Sequence, residues 1–225
     1  MPFTSDEQRE LPDIISQPRF ATYLGATNND IPLALSLYQW NLEVSAAFIV
    51  PLQMCEVAAR NGVVLALEAT YGQTWHLNQS FIQSLPQQNA GYCARRDFNS
   101  TSRALQRRGL LTAGKLVADL KFAFWENMLT RRHDNRLWRH HFRVSFPHTN
   151  NLVPFHNARQ TANHNLEKVR RLRNRIAHHE PIFNRNTMED YNRIREIVSW
   201  RSPTSANWID KITLVPLLVT QKPIP

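Results

Sequence analysis

The chain has 225 residues, of which 42% are hydrophobic and 20% charged, a balance that supports a folded core and excludes wholesale disorder. Gly is scarce at 6 residues and alternating apolar runs are few, which excludes a hairpin-rich fold and leaves an all-α one. A formal net charge of +9, with 22 Arg against 5 Lys, favours a polyanionic partner because the guanidinium fork grips phosphate at two points; GC-rich coding produces the same Arg bias.

Residues 1–12 read as a flexible tail, and 13–225 as a single helical domain. A short helical pattern runs from Ser16 to about Leu24, with Pro18 in its first turn. Asp30 then has the position of an N-cap and Pro32 that of a first-turn proline. The helix they open is long and apolar through Tyr38, Trp40, Leu42, Val44 and Phe48. Pro51 predicts a kink or break, since the ring removes a donor and clashes one turn back. A further helix carries Met54, Val57, Ala58, Val64 and Leu67 and ends near Tyr71-Gly72. Residues 84–100 read as a loop, followed by a basic helix over 101–108 that Gly109 stops. Thr112 opens a helix through Leu116, Leu120, Phe124, Trp125 and Met128. Residues 131–148 are basic and aromatic. A helix is predicted from about Asn157 to Glu180, closed by Pro181. Thr187 and Asp190 have capping-box spacing for one more helix to about Trp200. Residues 212–219 predict a strand or a packed tail.

Cys55 and Cys93 stand apart without metal-ligand spacing, as free thiols of a reducing compartment would. The polar N-terminal residues lack a signal-peptide core, and no apolar run is expected to reach the roughly 20 residues that span a bilayer. A cytoplasmic chain with no membrane attachment is the expectation. The histidines at 133, 140, 141, 148, 156 and 164 lack compact Cys or carboxylate partners, so neither a metal site nor a cofactor is expected. Trp40, Trp75, Trp125 and Trp138 fit a core at helical spacing better than a base-stacking surface.

The segment richest in chemistry is Arg170-Arg-Leu-Arg-Asn-Arg-Ile-Ala-His-His-Glu-Pro181. On a helix, Arg170, Asn174 and His178 form one stripe, and Arg171, Arg175 and His179 its neighbour. A histidine, with an unperturbed pKa of about 6.5, exchanges protons near neutrality; an adjacent Arg stabilises developing negative charge. The spacing also recurs at Arg136 and His141, Arg143 and His148, and Arg159 and His164, so spacing alone equally describes a solvated basic face. Glu56 and Arg60 are placed for an intrahelical ion pair.

The run Arg173-Asn-Arg-Ile-Ala-His178 resembles the Arg-x4–6-His signature of HEPN domains, and residues 172–182 resemble the abortive-infection (Abi-like) branch in particular. Upstream, Tyr38-Gln-Trp-Asn41, Glu56-Val-Ala-Ala-Arg-Asn61 and Gly72-Gln-Thr-Trp75 are similar to that family's first blocks. Lys115 through Trp125, with Leu137-Trp138, resembles its middle block. The likeness spans roughly residues 16–200. Glu180 departs from the pattern of those HEPN toxins that carry Tyr two positions after the motif histidine.

That resemblance implies a HEPN-like helical bundle with additional helices and a metal-independent endoribonuclease that cleaves tRNA or another structured RNA. Arg173 and His178 would be catalytic, with Asn174, His179 and Glu180 in support. Arg170, Arg171, Arg175, Arg60 and Asn61 would hold RNA. Arg173 with His179 satisfies the looser spacing as well. A homodimer would supply two histidines to one phosphate, and the biological setting would be a toxin-like antiphage effector with an antitoxin or phage-derived trigger. A non-catalytic RNA-binding or partner-docking module, and a DNA-binding regulator, are the alternatives.

Overall fold

A computed structural model of the chain describes residues 3–88 and 90–223. Twelve α-helices account for most of them, and no strand occurs among the described residues. The organising element is α3 (Ile31–Tyr71), 41 residues long. Asp30 caps it, its Oδ1 accepting from the Leu33 amide at 2.9 Å, and Gly72 stops it at a φ of 79°. Pro51 neither ends nor splits this helix. The Ala47 carbonyl loses its helical donor there, at a cost of about 3 kcal/mol. Burial of Val44, Phe48, Leu52, Cys55 and Ala59 on either side outweighs it.

By length and composition α3 could cross a bilayer, contrary to the expectation that no run approaches that length. Here its apolar residues pack against α2 (Gln17–Ala26), α7 (Phe122–Met128), α8 (Arg139–Ser145), α10 (Thr187–Arg201) and α12 (Val215–Thr220). Leu42 and Ile49 remain exposed.

Several local expectations are corrected. The supposed tail contains α1 (Ser5–Ile15). A capping box opens it, with the Glu7 amide donating to Thr4 Oγ1 at 3.2 Å and the Thr4 amide to Glu7 Oε2 at 2.7 Å. The loop after α4 (Gln79–Ser84) is shorter than predicted, because α5 already begins at Ala94 and runs to Arg107. Thr112 does cap a helix, α6 (Ala113–Asp119). Leu120 then turns extended, so that it and Phe122 both reach the core, and α7 starts afresh. Thr187 is the first residue of α10 rather than its cap. Asn186 takes that role, accepting from the Glu189 amide at 3.1 Å, while Asp190 binds Arg185 at 2.8 Å through both oxygens. The C-terminal stretch is helical, as α11 (Pro203–Ile212) and α12. It is tied down where the Trp40 indole donates to the Leu218 carbonyl at 2.6 Å.

The four tryptophans singled out in the sequence are core. Trp40 is 3% exposed, and Trp75, Trp125 and Trp138 are 0%, so none offers a face to a base. Trp75 with Phe81, Phe81 with Phe98, and Phe124 with Trp125 meet edge-on, a geometry that suits the ring quadrupoles, and Phe98 with Phe124 is tilted between them. Between α7 and α8 the chain makes a 3-10 turn (Arg131–His133) and a π turn (Asp134–Trp138). Arg159 on α9 (Phe155–Ala177) reaches into this corner. Its Nε and Nη2 donate to Asp134 at 2.9 and 3.2 Å, and its Nη1 to the Leu129 carbonyl at 3.2 Å.

Two outcomes follow from this corner. Asp134→Ala strands a buried guanidinium and should cost about 3 kcal/mol in urea unfolding; an unchanged midpoint would refute the pairing. His133, buried with Nε2 unpartnered among the described residues, has its pKa pushed down to about 3, first by burial and then by Arg132 and Arg136. Between about pH 6.5 and 3 the unfolded chain therefore binds a proton that the native one does not, so this contribution to stability is lost as pH falls. Stability should drop by about 2 kcal/mol from pH 7 to 5 on this account, and His133→Gln should flatten the slope.

Candidate functional site

Helix α9 buries Ala158, Ala162, Leu166, Val169 and Leu172 along one stripe; Arg173, four residues beyond Val169, continues that side of the helix and is exposed near its end. The helix ends at Ala177, three residues earlier than predicted, with His178 as its C-cap. His179 follows at a φ of 57°. Its amide donates to the Ile176 carbonyl at 3.0 Å, and the Glu180 amide to the Arg175 carbonyl at 2.8 Å. This is a Schellman closure, in which the left-handed position normally belongs to Gly. Pro181 explains the early stop, since its ring disfavours helical geometry at Glu180.

The chain beyond the closure is pinned to the bundle. The Ile182 amide donates to Asn41 Oδ1 of α3 at 2.7 Å in a buried setting. Arg175 donates to the Pro181 carbonyl through Nε at 3.0 Å and Nη2 at 2.6 Å, and its Nη1 lies 3.4 Å from Glu180. The exit from α9 is thereby held at both of its peptides.

The residues expected to bind RNA separate accordingly. Arg170 is bonded to Glu126 of α7 and Arg171 to Glu167 one turn back. Arg175 and Glu180 hold the loop, so each of the three flanking arginines has an acidic partner within the fold. Arg173 differs, with no acidic partner among the described residues and only a 3.5 Å contact from its Nη1 to Asn174 Oδ1. Neither His178 nor His179 makes a side-chain hydrogen bond among the described residues.

Arg173 and His179 border a cavity of about 590 Å³ between the end of α9 and the middle of α3. Leu52, Val57 and Ile176 supply apolar wall, and Gln53, Glu56 and Arg60 further polar groups. His178, the histidine of the Arg-x4-His spacing, is exposed and outside this lining, as is Asn61. The left-handed turn at position 179 accounts for the difference, because it swings the second histidine back toward α3. The expected Glu56–Arg60 ion pair does not form; Arg60 Nε is buried without a partner among the described residues.

Sequence reasoning did not assign Glu56, Gln53 or Asn41 to the site. Residues 49, 53, 56 and 60 recur at helical spacing and define one face of α3. Asn41 is a lone amide on an apolar stretch. Both signals were visible but pointed equally well to core and surface. Among the described residues no three His, Cys, Asp or Glu side chains sit close enough to hold a metal ion.

No protein-family model, curated protein or solved structure matches the chain. The local geometry has its own testable consequences. His179→Gly relieves the left-handed backbone and should raise stability by about 1 kcal/mol, whereas His178→Gly, at a φ of −97°, should not. Asn41→Leu leaves the buried Ile182 amide unpaired and should cost about 1–3 kcal/mol. Urea midpoints check both; a destabilised His179→Gly would contradict the closure.

Proposed function

We propose that the chain is a metal-independent endoribonuclease of the Abi-like HEPN type, with Arg173 and His179 as its cavity-facing catalytic pair. The observation that carries this reading is that, among the described residues, an arginine without an acidic partner borders the same cavity as an imidazole without a hydrogen-bond partner. The net charge of +9 and the motif's likeness to HEPN ribonucleases support it.

In this reading a neutral imidazole takes the proton of the ribose 2′-hydroxyl, and the 2′-oxygen attacks the adjacent phosphorus. The P–O5′ bond breaks, and an imidazolium gives its proton to the departing 5′-oxygen. The products are a 2′,3′-cyclic phosphate and a 5′-hydroxyl, with no water consumed. Arg173 neutralises the charge that builds on the non-bridging oxygens. His178 is the neighbouring imidazole, and a second copy of the chain would bring its own motif, so a homodimer completes the acid–base pair. tRNA or another structured RNA as substrate, and an antiphage effector held by an antitoxin or released by a phage component, follow from the family likeness alone.

A non-catalytic RNA-binding or docking module is the second reading. It is favoured by the position of His178 outside the cavity and by the internal pairing of Arg170, Arg171 and Arg175.

Purified wild type, Arg173→Ala, His178→Ala and His179→Ala, incubated with total RNA and with tRNA in EDTA, decide between them. Wild type should leave 2′,3′-cyclic phosphate ends, and Arg173→Ala and His179→Ala should each lose about 100-fold or more in rate. Loss confined to His178→Ala would return the role to the Arg-x4-His spacing. RNA binding without cleavage by any of the four would establish the binding module instead.

A further inference from the structure

Glu56 and Arg60 stand one turn apart on α3 and line the same cavity as Arg173 and His179. Opposite charges at this spacing ordinarily pair. Here they do not: no salt bridge joins them, neither has a side-chain hydrogen bond among the described residues, and Arg60 Nε is buried with no partner. A carboxylate and a guanidinium kept apart over an apolar wall of Leu52, Val57 and Ile176 form an acceptor and a donor array awaiting a flat, polar-edged ligand. The cavity, at about 590 Å³, falls within the range that binds small molecules.

We propose that this cavity seats a guanine base, and that Glu56 and Arg60 select it. An ionised carboxylate only accepts hydrogen bonds. Guanine is the one standard base whose Watson–Crick edge presents two donors side by side, N1–H and the exocyclic N2–H, to both carboxylate oxygens. Adenine and cytosine place a ring acceptor beside their single amino donor, and uracil flanks its N3–H with two carbonyls. Each of these turns a lone pair toward Glu56. The remaining guanine edge carries the O6 and N7 acceptors, the pair that an Arg fork recognises. Apolar contact from Leu52, Val57 and Ile176 covers the ring faces, as unstacked bases of single-stranded RNA require. With the base held there, the attached phosphate lies in the cavity that Arg173 and His179 border. The inference rests on the ribonuclease reading for its biological setting, but base selection is measurable without cleavage.

The first measurement is calorimetric titration of the wild-type chain with the 3′-monophosphates of guanosine, adenosine, cytidine and uridine. Guanosine 3′-monophosphate should bind about tenfold or more tighter than each of the others. Glu56→Gln, which turns a double acceptor into a mixed amide, should bring the four within about twofold of one another, with thermal unfolding as the control for folding. Equal binding of all four by wild type, or binding of none, overturns the proposal, and neither result depends on any variant folding. Guanine selectivity in a chain that cleaves no RNA would sink the ribonuclease reading and leave the subsite standing. Cleavage with no preference for guanine beside the cut would do the reverse.

Discussion

The site depends on how one helix is made to end. α9 is closed by two backbone hydrogen bonds, from His179 to Ile176 and from Glu180 to Arg175, and its exit is then fastened by Asn41 and by the Arg175 side chain. Remove the closure and the helix would run on toward Pro181, carrying His179 round to a different face. With it, a non-glycine residue sits in the left-handed region, where most side chains are disfavoured by about 1–2 kcal/mol. A histidine held there by its neighbours is a local conflict between backbone preference and side-chain placement, and such conflicts gather where placement matters.

Electrostatics divide along the same line. The chain has 22 Arg, yet many of them act inside the fold. Arg95 donates to the Leu85 carbonyl, Arg143 to the Asn150 carbonyl and Arg175 to that of Pro181. Arg159 is buried on Asp134 and Arg195 reaches Asp210. Guanidinium suits this work because its fixed fork can satisfy a carboxylate or several carbonyls at once. A large positive count is therefore partly scaffolding, whereas Arg173 has no acidic partner among the described residues and borders the cavity.

The framework around the site follows from packing. α3 runs unbroken through Pro51 because the residues on both sides are locked into a core that spans nearly its whole length. That continuity places Asn41, Glu56 and Arg60 on one rigid rod at helical spacing. Asn41 holds the loop after α9, and Glu56 and Arg60 face the cavity that this loop helps to form. A break at Pro51 would have set Asn41 and Arg60 on independent segments.

Periodicity and punctuation were enough to establish from sequence that the chain is all-helical, that Asp30, Gly72, Gly109 and Thr112 bound helices, and that the four tryptophans at helical spacing belong to a core. These are local properties, decided by side-chain pattern and by caps a few residues away. The same reasoning missed α1, the start of α5 and the two C-terminal helices, where short segments owe their form to tertiary contact such as that between Trp40 and Leu218. It named Arg173 and placed His178 ahead of His179, but which histidine borders the cavity turns on one left-handed residue after His178. It also predicted a pairing of Glu56 with Arg60 from their spacing alone. Only the approach of α9 to α3 decided that these two charges face a cavity instead of each other, since burial and partner geometry are properties of the assembled bundle and not of either helix.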